Sequence, residues 1–153
     1  MSARARAAAV VAAGLVPWVV VLGPGPGARV SLVFSFGLVN PSPLHLTTLP
    51  AYLLVLTRGL PASLLAWPVG TLLWLAALGS ALGAIAIGRE DGRLSGGLLV
   101  LAGFSLLSVA GAVGRPAGVL ALPVGTAALW AVAWWGYGPA LRRLPLGGRG
   151  RER

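Results

Sequence analysis

The chain of 153 residues contains no cysteine and no lysine, and its only acidic residues are Glu90, Asp91 and Glu152. Without cysteine it can form no disulfide and no thiolate metal site, and it cannot use a thiol as a nucleophile. Charged residues make up 10% of the chain and hydrophobic residues 57%, whereas soluble domains carry about 25% charged residues. A surface this apolar is stable only where lipid replaces water around much of it.

All twelve basic residues are arginine, and the sequence pI is close to 12.0. A strongly basic chain is one mark of a nucleic-acid-binding protein. Here, however, the arginines stand between apolar runs and near the chain ends, so the clustered basic footprint that binds phosphates is missing. We therefore expect a lipid bilayer as partner and no nucleic acid.

Four apolar runs approach or exceed the roughly 17 to 25 residues of a membrane-spanning helix. The length of the chain suggests a single domain. The predicted fold is therefore an all-α integral membrane domain over residues 1–141, with four transmembrane helices arranged as two helix hairpins. Its parts are spans at about 7–23, 60–88, 94–114 and 116–141, an outer loop 24–59, and a basic cytoplasmic tail 142–153. For the first run a cleaved signal peptide is an open alternative, because "SARAR" precedes it.

Arginine distribution predicts the orientation of these spans. With a cytoplasmic N-terminus, nine arginines lie inside, and Arg29, Arg58 and Arg115 lie outside. This asymmetry is the one that the positive-inside rule expects. The sequence therefore predicts a multi-pass protein of the plasma membrane with both termini in the cytoplasm.

A repeated motif relates the second and fourth spans. "LAWPVGT" begins at Leu65 and "LALPVGT" begins at Leu120, and ten of twenty residues are identical when 59–78 is aligned with 114–133. Apolar composition produces alanine and leucine matches, but it does not readily produce proline, glycine and threonine in the same order. We therefore predict that the two spans form a parallel repeat.

Each motif residue has a mechanical interpretation. The prolines should lie inside the helices and bend them, the glycines should admit a second backbone, and the threonine hydroxyls should serve the freed carbonyls. The candidates are Pro68, Gly70, Thr71, Pro123, Gly125 and Thr126. Paired kinks are compatible with a gate or cavity, but we favour a role in helix packing alone. Gly79 and Gly83, four residues apart, fit internal packing and a partner helix equally well.

The outer loop carries His45, the only histidine of the chain. The alternation of Leu32, Phe34 and Phe36 indicates a short strand or an interfacial segment. His45, with Thr47, Thr48 and Arg58, is a candidate contact for a lipid headgroup, a peptide or an anion. One histidine does not make a metal site, and no carboxylate precedes Glu90.

The residues show no catalytic constellation. Glu90 and Asp91 stand together in the short polar connector "GREDGR". Ser105 and Ser108 lie in an apolar run, and no histidine, aspartate or lysine in another span can activate them. The sequence therefore predicts no enzyme activity, no metal and no cofactor.

Four stretches of the sequence carry a family resemblance. In chain order they are "GLVPWVVV", "LVFSFGLVNPSPLHLTTLPAYLLVLTRGLPASLLAWPVG", "REDGRLSGGLLVLAGFSLLS" and "ALPVGTAALWAVAWWGY". They resemble a family of small uncharacterised integral membrane proteins of halophilic archaea, whose genes lie near that of archaeosortase, a membrane enzyme that processes surface glycoproteins. The resemblance implies a link to surface-protein processing by association and supplies no active residues. Archaeosortase relies on a cysteine, which this chain lacks.

The expected function is that of a non-enzymatic accessory or scaffold subunit that binds a membrane-protein partner or a second copy. A small transporter or channel built on the kinked repeat helices is the alternative. A lipid-active enzyme using His45 is a third class.

Overall fold

The computed structural model describes residues 1–24, 29–56, 64–88 and 91–142. The fold is mixed α/β, so the prediction of an all-α domain is wrong. The elements in chain order are α1 Ala3–Leu15, β1 Val19–Leu22, β2 Val30–Val33, β3 Gly37–Pro41, β4 Leu44–Thr48, α2 Leu49–Ala51, a π-helical turn Tyr52–Leu56, α3 Ala66–Ile87, α4 Gly92–Val113, β5 Leu120–Leu122 and α5 Val124–Leu141.

The five strands form one antiparallel sheet in the order β4-β3-β2-β1-β5. Much of the segment predicted as an outer loop, 24–59, is therefore regular structure. The valine-rich run after Pro17 favours an extended backbone, and the turn at Ser42–Pro43 joins β3 to β4. β4 reads Leu-His-Leu-Thr-Thr, an alternation that is typical of a strand with two different faces.

Two of the four predicted spans are wrong. The first, 7–23, is divided between α1 and β1 because Pro17 interrupts the helical run. α1 has 13 residues, so its length of about 20 Å is well short of a bilayer core of about 30 Å. The fourth, 116–141, begins with a turn and strand β5, and α5 is not among the helices long and apolar enough to cross a membrane.

The other two predicted spans are confirmed as long apolar helices. α3 and α4 have 22 residues each, and within the described residues they are the two helices that meet the length and hydropathy of a membrane span. Each is about 33 Å long at 1.5 Å per residue. Gly88 is the C-cap of α3, and its φ of 72° suits glycine. Asp91 is the N-cap of α4, and its carboxylate accepts hydrogen bonds from two backbone amides. Residues 60–63 lie outside the described part.

The four long helices pack in a ring, in which α4 contacts α3 and α5, and α1 contacts the same two helices from the other side. Tryptophan, leucine and valine side chains fill the space between them and the sheet. The largest fully buried side chains are Trp18, Leu99, Leu106, Leu129, Val10, Val19 and Val109.

The two ends of this helix ring differ in charge. At one end, which we call the arginine end, the start of α1 meets the end of α5: the Arg6 guanidinium lies 5.7 Å from the centre of the Tyr137 ring. Arg4, Arg93 and Arg142 belong to the same end. The sheet lies at the opposite end, where Gly125 of α5 donates a 2.9 Å hydrogen bond to the carbonyl of Trp18.

Candidate functional site

The two repeat prolines do not bend their helices, which corrects the sequence prediction. Pro68 is the third residue of α3, and Pro123 is the N-cap of α5. The backbone amides of a first turn have no helical acceptor, so proline removes no hydrogen bond at either place. The proline inside a helix is Pro139 of α5, which the repeat does not include.

The repeat glycines do bring structural elements into close approach. A Cβ atom on Gly70 would lie 3.3 Å from the Cβ of Ser105 in α4. A Cβ atom on Gly125 would lie 2.6 Å from the Cα of Trp18, which leaves no room for a side chain. Gly70 therefore sets the contact between α3 and α4, and Gly125 sets the contact between α5 and the start of the sheet.

Each repeat threonine donates to a carbonyl of another element, and Thr71 also contacts a carbonyl of its own helix. Thr71 Oγ1 lies 3.1 Å from the carbonyl oxygen of Ser35, in the turn between β2 and β3, and 3.2 Å from that of Trp67. Thr126 Oγ1 donates a 3.0 Å hydrogen bond to the carbonyl of Gly103 in α4. The predicted hydroxyl-to-carbonyl bonds exist, but they join elements instead of repairing a kink. The glycines and threonines of the motif are therefore packing residues, and none of the six motif residues lines either of the two cavities described below.

His45 lies elsewhere, on the helix-facing side of the sheet. Thr47 shares this face because side chains two residues apart in a strand point the same way. Thr47 is buried, His45 is exposed, and Thr48 points away and caps α2 through its side-chain oxygen. Arg58 lies outside the described residues. The predicted group of four is therefore not assembled into one site by the described structure.

His45 instead borders a polar cavity of about 610 Å³ at the edge of the sheet. Its neighbours come from β2, β3 and the turn after β3. Ser31 Oγ donates a 2.6 Å hydrogen bond to Asn40 Oδ1, and Asn40 is the cross-strand partner of His45. The lining residues are Arg29, Val30, Ser31, Asn40, Ser42, Pro43 and His45.

An apolar cavity of about 220 Å³ adjoins the polar one and shares Ser31 with it. It lies between the helix-facing side of the sheet and the end of α4, where Val109 and Val113 lie one turn apart. Trp67 closes another side, and its Nε1 donates a 3.0 Å hydrogen bond to the carbonyl of Phe34. The two cavities together accommodate a molecule with a polar and an apolar part.

The lining of the polar cavity contains basic residues and no acidic residue. Arg29 and His45 line it, whereas residues 1–89 of the sequence contain no acidic residue. Asp91, the acidic residue in the described part, caps α4 at the arginine end. A guanidinium without a neighbouring carboxylate is suited to an anionic group such as a phosphate or a carboxylate.

Sequence reasoning missed Arg29, Ser31 and Asn40. The signal was present, because period-2 alternation in "VSLV" and "LVNP" places Ser31 with Val33, and Asn40 with Leu38, once both runs are taken as strands. The sequence indicated a short strand or an interfacial segment around Leu32, but it predicted no second strand to pair with it.

The described residues show no catalytic arrangement of the usual kinds. Ser105 and Ser108 each donate to the carbonyl four residues earlier in α4, at 3.2 Å. Within the part of the chain that the structure covers, no three His, Cys, Asp or Glu side chains are grouped to hold a metal ion. The candidate functional site is therefore the pair of adjoining cavities, one at the edge of the sheet and one between the sheet and α4.

Fold and site together define a mixed α/β protein with an apolar helix hairpin and a sheet that carries a cationic cavity. The chain belongs to the family described as domain of unknown function DUF8050, whose model matches residues 1–146. A comparison with proteins of curated function gave no match.

Proposed function

We propose that the protein is an integral membrane protein of the plasma membrane, held by the α3–α4 hairpin and acting as a non-enzymatic accessory or scaffold subunit. The observation that supports this best is the exposure of its most apolar helices. Only 17% of the apolar window of α3 and 39% of that of α4 are buried inside the protein. The core helix of a water-soluble protein has the opposite property, since most of it is covered.

The exposed side chains of this hairpin are large and apolar. They include Val69, Leu72, Leu75, Leu82, Ile85, Leu94, Leu101, Phe104 and Leu107. Apolar patches of more than a few hundred Å² are rare on water-soluble monomers. Hydrocarbon is the medium in which this surface is stable.

Orientation follows from the arginine end. Arg6, Arg93 and Arg142 lie there, with the connection between α3 and α4, the start of α1 and the end of α5. The sheet end carries Arg29 and Arg115 in the described part. The positive-inside rule therefore supports a cytoplasmic arginine end and a sheet on the opposite side of the membrane.

Membrane fractionation and single-cysteine labelling test this proposal, because the chain has no native thiol. We expect alkaline carbonate to leave the protein in the membrane pellet. Ser42→Cys on intact cells should react with an impermeant maleimide, and Arg93→Cys should react only after permeabilisation. Both positions are exposed, so access to the reagent depends on the membrane. Release by carbonate, or the reverse labelling pattern, contradicts the proposal.

The scaffold role is supported by a free helix surface at Gly79 and Gly83. Among the described residues, nothing lies within 4 Å of a Cβ atom built at either position, so the pair does not pack against them. Small residues four apart let a second membrane helix approach closely. We expect chemical cross-linking in native membranes to capture a neighbouring membrane protein or second copy. Gly79→Leu with Gly83→Leu should abolish this product, and Gly111→Leu, also in open space on α4, should not. An unchanged product in the double variant excludes this surface.

A second candidate function, binding of an anionic headgroup, rests on the cationic cavity with Arg29 and His45. Protein purified in mild detergent from membranes that contain phosphatidylglycerol should retain this lipid, as measured by native mass spectrometry. Arg29→Gln should reduce the retained lipid, whereas Arg4→Gln, exposed at the arginine end and outside the cavity lining, should leave it unchanged. Equal retention in both variants removes the cavity as the site. Pro68 and Pro123 lie at helix starts and not at kinks, and the transporter alternative stays a prediction.

A further inference from the structure

The helix-facing side of the sheet mixes buried apolar residues such as Val19 and Val33 with polar ones, whereas the opposite face is apolar. An antiparallel sheet that covers a core on one side normally presents polar residues on the other. Here Ser31, Asn40, His45 and Thr47 lie on the face that points toward the helices. The opposite face, which we call the outer sheet face, is apolar across all five strands.

Strand register shows how continuous the outer sheet face is. One cross-strand row runs through directly paired residues of all five strands: Leu122, Val20, Leu32, Val39 and Leu46. A second row, which we call the edge row, lies nearer one end of the strands and contains Leu120, Leu22, Val30, Pro41 and Leu44. Leu44 and Leu46 are 81% and 54% exposed, so no described element covers the β4 side of this face. Thr48, the polar residue at its end, is used as the cap of α2.

The position of the sheet against α4 relates this face to the membrane. Val109 and Val113, one turn apart, both line the apolar cavity with Val21 and Leu38 of the helix-facing side. The sheet therefore packs along the side of the last turns of α4, one of the two helices able to cross a membrane. The outer sheet face thus points away from α4, roughly at right angles to the helix axis, at the depth where α4 leaves the bilayer.

Charges mark the boundary of the apolar face. Arg29 immediately precedes β2, and Arg115 lies in the turn before β5. That turn meets the end of β1, because a Cβ atom on Gly118 would lie 2.9 Å from the Cβ of Pro24. Both exposed arginines therefore lie beyond the edge row at one end of the sheet, where lipid phosphates can pair with them.

The area of the face argues against a second copy as its cover. Five strands spaced about 4.8 Å apart, with two rows each, give roughly 300 Å². A stable dimer needs about 800 Å² per partner. The open edges of β4 and β5 also exclude the hydrocarbon centre, where unpaired backbone groups are not tolerated. The boundary between headgroups and acyl chains satisfies both conditions.

We propose that the outer sheet face is inserted into the outer leaflet, with its residues in the acyl–headgroup boundary and Arg29 and Arg115 at the phosphates. This inference rests on the proposed membrane integration of α3 and α4. It makes the sheet a second, interfacial anchor beside the helix hairpin.

Fluorophore scanning tests the inference, again without native thiols. Single-cysteine variants carrying an environment-sensitive nitrobenzoxadiazole label are reconstituted in vesicles of phosphatidylcholine and phosphatidylglycerol. Leu32→Cys, Val39→Cys and Leu46→Cys report on the outer sheet face, and Asn40→Cys and His45→Cys on the opposite side. We expect blue-shifted emission and quenching by spin-labelled lipid at the first three positions, and quenching by aqueous iodide at the last two.

Leu75→Cys on the exposed side of α3 is the reference for membrane integration. Lipid quenching at Leu75 but iodide quenching at all sheet positions overturns the inference and leaves the membrane proposal intact. Iodide quenching at Leu75 as well overturns both. Oxidation of Leu46→Cys to a disulfide-linked dimer would identify a second copy as the cover and overturn the inference. Quenching that alternates from one residue to the next along β3 and β4, by spin-labelled lipid and by aqueous iodide in turn, supports the inference.

Discussion

The indole ring of Trp130 lies directly over Gly103, and its Nε1 donates a 3.1 Å hydrogen bond to the carbonyl oxygen of Val100 in the same helix as that glycine. Any Cβ atom at Gly103 would overlap the ring. The contact joins α5 to α4 through shape and through one hydrogen bond at once. Close packing and the hydrogen bond both matter in lipid, where burying apolar surface between helices gains little free energy.

The same arrangement occurs between α3 and α1. The ring of Trp74 covers Gly14, and its Nε1 donates a 2.8 Å hydrogen bond to the carbonyl oxygen of Val10, one turn before that glycine. Trp18 packs edge-on against Trp74, with ring centres 6.1 Å apart. Two tryptophan–glycine contacts therefore join α5 to α4 and α3 to α1.

The first prediction concerns Gly103. Gly103→Ala should lower the free energy of unfolding by about 1–3 kcal/mol, because the ring of Trp130 must move. Gly97→Ala, in open space on the same helix, should raise it by about 0.5–1 kcal/mol through helix propensity. Unfolding in mixed micelles, followed by circular dichroism, measures both. Equal effects in the two variants would show that the contact is absent.

The second prediction separates the hydrogen bond from the ring. Trp130→Phe keeps an aromatic ring over Gly103 and removes the donor to Val100, so we expect a loss of about 1 kcal/mol. Trp135→Phe is the control, because Trp135 is 74% exposed. Its free energy of unfolding should stay within about 0.5 kcal/mol of wild type. A larger effect at Trp135 than at Trp130 contradicts the assignment.

Sequence reasoning located α3 and α4 because long uninterrupted apolar runs have one main structural outcome. It failed at 7–23 and 116–141 because hydropathy does not distinguish a helix from a strand. Val20–Leu22 and Leu120–Leu122 are apolar and pair with each other across β1 and β5, about 100 residues apart in the chain. Such long-range pairing has no local signal.

In the repeat, Gly70 and Gly125 make the predicted close approaches. Thr71 and Thr126 bond carbonyls of the β2–β3 turn and of α4 instead of carbonyls freed by a proline. The sequence predicted helix starts at Pro61 and Pro116, seven residues before Pro68 and Pro123, and proline suits a first turn at either place. The cavities depend on which strand residues face the helices, and this requires the register of a sheet that the sequence did not reveal.

The third prediction concerns the repeat threonines. Thr126 is buried, and its hydroxyl is the donor to the carbonyl of Gly103. Thr126→Val should cost about 1 kcal/mol, a typical value for one hydrogen bond. Thr126→Ser retains the hydroxyl, so it should recover part of the loss. If valine and serine variants unfold at the same denaturant concentration, the hydroxyl does not contribute.

The fourth prediction contrasts three prolines. Pro68→Ala and Pro123→Ala should each change the free energy of unfolding by less than about 1 kcal/mol, since both lie at helix starts. Pro139→Ala should raise it by about 1 kcal/mol or more, because Pro139 interrupts hydrogen bonding inside α5. The same micelle titration reports on all three. A rise with Pro68→Ala as large as that with Pro139→Ala would restore the kinked-helix interpretation.

The fifth prediction concerns Asp91, which the sequence placed in a water-facing connector. Asp91 Oδ1 accepts hydrogen bonds from the amides of Arg93 at 2.9 Å and Leu94 at 3.3 Å, so it is the N-cap of α4. Asp91→Ala should cost about 1 kcal/mol, whereas Asp91→Asn should cost only a few tenths, because asparagine caps almost as well. Hydrogen exchange at the amides of 93–95 offers a local readout, since loss of the cap should speed exchange there and leave Leu106 unchanged. Faster exchange along the whole of α4 in Asp91→Ala would instead mean that this residue supports the helix hairpin globally.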